Sequence, residues 1–367
     1  LKIAFLISSL SAGGAERVAS ILMRSWASAG HEVVLLTYQR PGDPLHYPVP
    51  DGVVHRPLAA LARWRTVACR AVNLIERIGK IRRCLLRERP DVMVGFMTDV
   101  NVVGILAATR TGIPVIVSER THPAFHDVGR LLSWMRARLY PRAAAVVVQT
   151  DGIASWCRAA LGLAAHVIAN PVEKGSARVP APYPRRRLIA VGRLSEEKGF
   201  AVLIEAFRRL AEEFPDWDLV IYGEGAERSR LVAAAAGLGG RVSLPGVVTD
   251  IPERLREADV YVQSSRYEGF PNALCEALAA GCCVVAADAP GATRDILGGG
   301  EYGVLAPPGG PALLADALRP VMRDAGLRQA FSRKAAMAVA PFGVEKIAAE
   351  WVSLFREVSG RPAGFQR

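Results

Sequence analysis

The feature that most limits the fold of this 367-residue chain is an alternation, made twice, of short wholly apolar runs with longer segments of helical period. In the first half the runs 2–8, 33–38, 91–96, 114–119 and 144–149 are rich in Val and Ile. Strands covered on both faces read this way. Helix-period segments at 15–29, 66–89, 100–110, 129–140 and 151–161 lie between them. A second series follows, with strands expected at 188–192, 218–222, 241–245, 259–263 and 283–287, and helices at 199–213, 226–236, 252–257, 271–280 and 311–324. Alternating β and α elements predict an α/β fold of two doubly wound parallel sheets. The stretch 171–187 carries four prolines and little periodicity, as an interdomain linker does. The expected units are therefore 1–175 and 186–342. A last segment, 343–367, has Ile347, Trp351 and Leu354 at helical spacing and is expected to pack back toward the first unit. In open α/β sheets ligands bind beyond the carboxyl ends of the strands. Two such domains facing each other form a cleft there.

Composition narrows the setting. Hydrophobic residues make up 51% and the mean hydropathy is +0.20, yet no run of about 18 uncharged apolar residues suggests a membrane-spanning helix. The opening LKIAFLISSLSAGG has one lysine and a glycine-rich turn where a cleavage site would stand, so it reads as a buried first strand rather than a signal peptide. Six cysteines without a Cys-x-x-Cys pair suit reduced thiols in the cytoplasm. Residues 1–180 hold 23 Lys and Arg against 12 Asp and Glu, which accounts for the whole formal excess of +11. That asymmetry predicts an anionic partner for the first half: a membrane surface, a nucleic acid or a phosphorylated substrate.

Three segments just after expected strands carry chemistry. In SSLSAGGAER, Gly13 and Gly14 permit a tight turn at a helix start, which suits an anion and equally a plain strand-to-helix connection. In VGRLSEEKG, Arg193 offers a planar fork and Lys198 a compact charge, a good pair for a diphosphate. In SSRYEGFPNALCEALAAG, Glu268 follows a strand and Glu276 lies eight residues on in the next helix, with the amides of Asn272 and Ala273 in its first turn. Pro271 suits a helix start, and the two carboxylates can accept from sugar hydroxyls.

With these residues, GGAER (13–17), AGHEV (29–33), IANPV (168–172), GRLSEEKG (192–199), YGEG (222–225) and LPGVVTDIPERL (244–255), the chain resembles glycosyltransferase family 4, retaining nucleotide-sugar transferases of GT-B fold. The resemblance covers nearly the whole chain and extends, more loosely, to bacterial enzymes that lengthen polyprenyl-diphosphate-linked oligosaccharides. It implies that Arg193 and Lys198 bind the donor diphosphate, that Glu276 takes the ribose hydroxyls and that Glu268 takes those of the transferred sugar. Val247 would touch the base, and Gly269, Phe270, Asn272 and Ala273 would complete the donor loop. Gly13 and Gly14 would face the phosphates or the acceptor. Many members carry a cleft histidine after a late strand of the first domain. Here SERTHP places Arg120 at that point with His122 two residues on, and either can take the role. Asp99 and Asn101 are further acceptor-side candidates. UDP is the expected nucleotide. No cofactor or metal is expected, and the Asp216–Trp217–Asp218 sequence reads as a turn rather than a metal motif.

The stretch 63–89 contains nine Lys or Arg and two Glu. Ala71, Leu74, Ile75, Ile78, Ile81 and Leu85 form one apolar stripe, with Arg70, Arg77, Lys80, Arg83 and Arg87 elsewhere round the helix. Such a helix can dock on anionic lipid headgroups or hold a substrate's diphosphate. It is also what a surface helix packed on its own sheet looks like. With the resemblance, the expected partners are a nucleotide-sugar, a lipid-linked saccharide acceptor and an anionic membrane, at the inner face of the plasma membrane. Rival readings are a nucleotide-sugar epimerase, a phosphorylase or a basic nucleic-acid-binding protein. The last lacks the aromatic interleaving that such binders show, so no nucleic acid is expected.

Overall fold

The structure is a computed structural model that describes residues 1–60, 67–175 and 186–360. Trp64, most of the expected linker (176–185) and the last seven residues lie outside the described residues. The chain divides into two compact units, Leu1–Pro171 with Val344–Arg367, and Val172–Gly343.

Unit 1 runs β1 (Lys2–Ile7), α1 (Gly14–Ser28), β2 (Glu32–Thr37), β3 (Val53–Pro57), α2 (Val67–Glu88), β4 (Val92–Phe96), α3 (Thr98–Ala108), β5 (Val115–Ser118), α4 (Arg130–Leu139), β6 (Ala145–Val148), α5 (Asp151–Leu161) and β7 (His166–Val167). Its seven strands stand in the order β3-β2-β1-β4-β5-β6-β7, all parallel. Unit 2 runs β8 (Arg186–Val191), α6 (Phe200–Leu210), β9 (Trp217–Tyr222), α7 (Arg228–Ala235), β10 (Val242–Gly246), α8 (Ile251–Arg256), β11 (Val260–Gln263), α9 (Asn272–Ala279), β12 (Cys283–Ala287), α10 (Thr293–Ile296), β13 (Val304–Ala306), α11 (Pro311–Arg323) and α12 (Ala325–Val339). Its six strands, again parallel, follow the order β10-β9-β8-β11-β12-β13. These are the two doubly wound α/β sheets that the alternation predicts. Trp217, expected in a turn, instead opens β9 fully buried.

Central strands are buried along their length because helices cover both faces, which is why they read as unbroken apolar runs. The helix α13 (Val344–Ser359) belongs to unit 1. Its Trp351 and Phe355 pack edge-on against Trp26 of α1, at 6.2 and 5.1 Å between ring centroids, and the Trp26 indole donates to Ala348 O at 3.3 Å. Such aromatic pairs add about 0.5–1.5 kcal/mol each beyond the area they bury.

In each sheet the chain leaves its first strand in one direction and later returns to that strand's other side. The reversal falls between β1 and β4 in unit 1 and between β8 and β11 in unit 2. At such a point the two loops diverge to opposite faces and leave a crevice at the carboxyl edge.

Candidate functional site

In unit 2 the two loops at the reversal carry the residues the motifs single out. After β8 the chain forms a single 3-10 turn, Glu196–Lys198, closed by Gly199 in the left-handed region at φ 65°. A side chain at Gly199 would meet Ser264 O at 2.1 Å, so both the dihedral and the space demand glycine. Ser264, just after β11, donates its hydroxyl to Lys198 O at 2.9 Å, and Arg266 N donates to Glu197 O at 2.8 Å. These bonds lock the two loops together.

The lock brings side chains from distant sequence into contact. Lys198 Nζ donates to Glu268 Oε1 at 2.7 Å, and Ser265 Oγ donates to the same oxygen at 2.6 Å. Glu268 is buried and Lys198 partly so. The turn that holds Glu268 is itself fastened, with Glu268 N donating to Pro290 O at 3.0 Å. Arg193 reaches Glu197 Oε1 at 2.7 Å, yet its side chain remains 70% exposed. Burial alone would push the Glu197 carboxyl up. Bonds from Ser195, its own amide and Arg193 outweigh that and hold it below the usual carboxylate range. The loop thus presents one exposed guanidinium and one anchored ammonium on the same edge.

Gly269 and Phe270 continue from Glu268, and the Phe270 ring packs edge-on against Phe342 at 5.5 Å. The Asn272 amide donates back to Phe270 O at 3.0 Å, closing a tight turn at the start of α9. This departs from the expectation that Asn272 N–H faces a phosphate. Glu276 is half-buried one turn further on. Burial, followed by the charges of Glu268 and Glu276, pushes the Tyr261 phenol well above its ordinary range. Val247 stands exposed after β10, beside Gly246, whose carbonyl accepts from Gly223 N at 2.9 Å. Gly223 and Gly225 of YGEG allow backbone to approach backbone, since side chains there would meet Gly192 O at 1.9 Å and Leu194 O at 2.3 Å.

Unit 1 uses the same edge differently. Gly13 is the N-cap of α1 in extended conformation, and Gly14 is exposed. The carboxylate of Glu16 lies over this turn, 2.2 Å from where a Gly13 side chain would stand. The chain's own anion therefore sits at the helix start, as the helix dipole favours. After β4, Met97 adopts φ 81°, and Asp99 projects exposed from the first turn of α3. Asn101 differs from expectation: it is wholly buried and its amide donates to Ser118 O at 3.0 Å and Tyr140 OH at 2.9 Å, so it holds the interior rather than an acceptor.

Arg120 lays its guanidinium on the Phe96 ring at 4.1 Å, donates to Ser118 Oγ at 3.3 Å and bonds Asn170 Oδ1 of the IANPV motif. Burial lowers its pKa, yet an arginine stays charged at neutral pH. His122 is half-buried, accepts from Ala124 N at Nδ1 (3.3 Å) and packs on Phe125 at 4.8 Å. Burial lowers its pKa.

Sequence reasoning missed Glu119, 1% exposed and just after β5. It accepts from Thr98 Oγ1 at 2.8 Å and Tyr140 OH at 2.6 Å, with Arg136 at 3.8 Å. Burial raises its pKa against these three favourable contacts. Glu197, the partner of Arg193, was also missed, although its four-residue spacing is a readable signal.

The basic helix α2 is only partly as expected. Leu74, Ile78, Ile81 and Leu85 pack inward, whereas Ile75 is 70% exposed. Arg77 and Lys80 each donate to a backbone carbonyl, of Ala60 and Ala59, at 3.1 Å, and Arg82 donates to Thr109 O at 2.6 Å. The side chains of Arg70 and Ala71 lie outside the described residues. Among the described residues, no helix is long and apolar enough to cross a membrane.

Comparison with known proteins agrees along the chain. The glycosyl transferase 4-like domain matches residues 13–173, and the glycosyl transferases group 1 domain matches 173–337. An exopolysaccharide phosphotransferase of Streptomyces coelicolor is 32% identical over 60% of this chain, a match that spans 24% of that protein. A Campylobacter jejuni α-1,4-N-acetyl-D-galactosaminyltransferase acting on a diNAcBac-PP-undecaprenol-linked glycan is 24% identical over 98% of this chain and 99% of its own. A phosphatidyl-myo-inositol mannosyltransferase of Mycolicibacterium smegmatis is 28% identical over 95% and 91%. Among solved structures, Anabaena Alr3699/HepE in complex with UDP and glucose superposes with a TM-score of 0.78 at 20% identity, covering 97% of this chain and 99% of that one. The two domain matches, meeting at residue 173, and the paired parallel sheets make this chain a glycosyltransferase of family 4 with the GT-B fold.

Proposed function

We propose that this transferase moves a hexose or N-acetylhexosamine from a UDP-sugar, with retention, to a polyprenyl-diphosphate-linked saccharide in bacterial surface-glycan assembly. The observation that carries the reading is the Lys198–Glu268 pair at the reversal point of unit 2, with Arg193 exposed beside it. A diphosphate entering this crevice takes Lys198 and Arg193 as its counter-charges, and Glu268 is released to accept from hydroxyls of the sugar. Glu276 accepts from the ribose. As the bond from the sugar's anomeric carbon to phosphate breaks, charge grows on the diphosphate, and the two cations stabilise it more than they stabilise the ground state. The acceptor hydroxyl attacks from the face the diphosphate leaves and gives its proton to a departing phosphate oxygen. UDP leaves and the new glycosidic bond keeps the anomeric configuration. We read the transfer as metal-independent, because the side chains at 193 and 198 supply the positive charge. In unit 1, Gly13, Gly14, Asp99, Arg120 and His122 stand on the carboxyl edge as acceptor-side candidates.

The names of the relatives support the acceptor class: one acts on an undecaprenyl-diphosphate-linked glycan and one on phosphatidyl-myo-inositol. The neighbour solved with UDP and glucose supports the donor. The basic first half, with exposed apolar side chains on α2 and α4, supports attachment to the anionic inner face of the plasma membrane. The test is thermal stabilisation of the protein by UDP-sugars against GDP-sugars, followed by transfer of labelled sugar to a polyprenyl-diphosphate saccharide. Stabilisation by GDP-sugars alone, or an inverted product, overturns the reading.

A further inference from the structure

We propose that unit 1 contains a cavity for the apolar chain of a lipid phosphate, between α2, α3 and α4. The choice of guest rests on the lipid-acceptor reading above; the cavity itself does not. It is an open groove of about 460 Å³, within the range of small-molecule sites. Leu74 of α2, Val103 of α3, and Leu132 and Met135 of α4 line it with hydrocarbon. In a parallel α/β sheet the helices start at the carboxyl edge. Asp99, in the first turn of α3, and Arg130, which opens α4, therefore place the polar part of the lining at that edge.

Asn73 makes this more than a packing gap. Its side chain lines the cavity, the residue is 4% exposed, and neither amide atom has a partner among the described residues. Buried amides are almost always paired, so one idle at both ends in a cavity wall is placed for a guest with a polar group. Arg77 supplies a charge beside it. Its Nε is tied to Ala60 O and its plane lies on Tyr38 at 4.4 Å, which fixes the guanidinium at the cavity wall. Arg77 and Arg130 against Asp99 leave the lining with one net positive charge, which favours an anionic head. Leu131, which lines the cavity and is 70% exposed, gives it an apolar rim on α4. A hydrocarbon lining, an apolar rim and a cationic, amide-bearing edge fit an isoprenoid chain joined to phosphate.

Calorimetry on the full chain tests this, with farnesyl diphosphate titrated in the presence of UDP so that unit 2 does not compete. Farnesyl diphosphate is expected to bind at least tenfold more tightly than farnesol or inorganic diphosphate. Leu131→Asp, at an exposed position, and Val103→Phe, which fills the void, should each weaken it tenfold or more while UDP affinity stays at the wild-type value. Asn73→Leu should weaken it about threefold while raising Tm, because it removes an unpaired buried amide. Equal affinity for farnesol or inorganic diphosphate, or wild-type affinity in the Leu131 and Val103 variants, overturns the proposal. Loss of UDP binding in the unmodified protein, with the farnesyl pattern intact, would overturn the donor reading and leave the cavity standing.

Discussion

Units 1 and 2 share a topology, but they use charge in opposite ways. In unit 2 the cations are presented: Arg193 is exposed, and Lys198 is held by one carboxylate that a ligand can replace. In unit 1 they are tied in. Arg120 is stacked and bonded to Asn170, and Arg136 is buried beside Glu119. Even the glycine turn of unit 1 is covered by Glu16. A loop position predicted by topology is therefore a place for a site; whether charge reads a ligand or holds the fold depends on the partners that close over it.

This contrast can be broken at named residues. The largest effect is expected on stability in unit 1. Glu119→Ala leaves Arg136 buried without its counter-charge and two hydroxyls without an acceptor, at a cost of about 3–5 kcal/mol. Chemical denaturation should show it, and a loss below 1 kcal/mol would mean that the network is incidental. In unit 2 the expected loss is of rate. Lys198→Ala should lower kcat/KM by about 10²–10³, as removal of one preorganised donor to developing charge does, with Tm nearly unchanged. Wild-type turnover would remove Lys198 from the chemistry.

A smaller effect is a slope. Glu119 has its folded pKa raised, so between the ordinary glutamate range and that raised value the folded state binds more protons than the unfolded one. Its contribution to stability is thus greatest at low pH and falls as pH rises through this window. Glu119→Gln should flatten that part of the stability–pH curve, measured by denaturation from pH 4 upward. The smallest effect is expected for Arg193→Lys. Its ion pair with Glu197 is largely exposed, and such pairs contribute about 0–1 kcal/mol. Stability should barely move while KM for the donor rises, because a lysine cannot present a planar fork.

The sheets were legible because strands buried on both faces must be apolar throughout. β3 was not, since Val53–Pro57 lies at the sheet edge and carries His55 and Arg56. α12 was not, because its weak amphipathic pattern left only alanines and one valine with Arg328 on the buried side. In the site, Arg193, Lys198 and Glu268 could be found from type and position after strands. The burial of Asn101 and Glu119 could not, because Tyr140 and Arg136, which close over them, come from a later helix and its 3-10 extension. A polar residue after a strand looks the same in sequence whether it faces solvent or a tyrosine.

The return of α13 to unit 1 has a consequence for biosynthesis. Domains commonly fold in the order in which they leave the ribosome. Here the half made first lacks Trp351 and Phe355, which cover Trp26, until unit 2 has been made. The middle of the polypeptide holds everything its own core needs and can mature first. Unit 1, with an indole uncovered, must wait for α13, and that interval is when the growing chain is most open to chaperones and to aggregation.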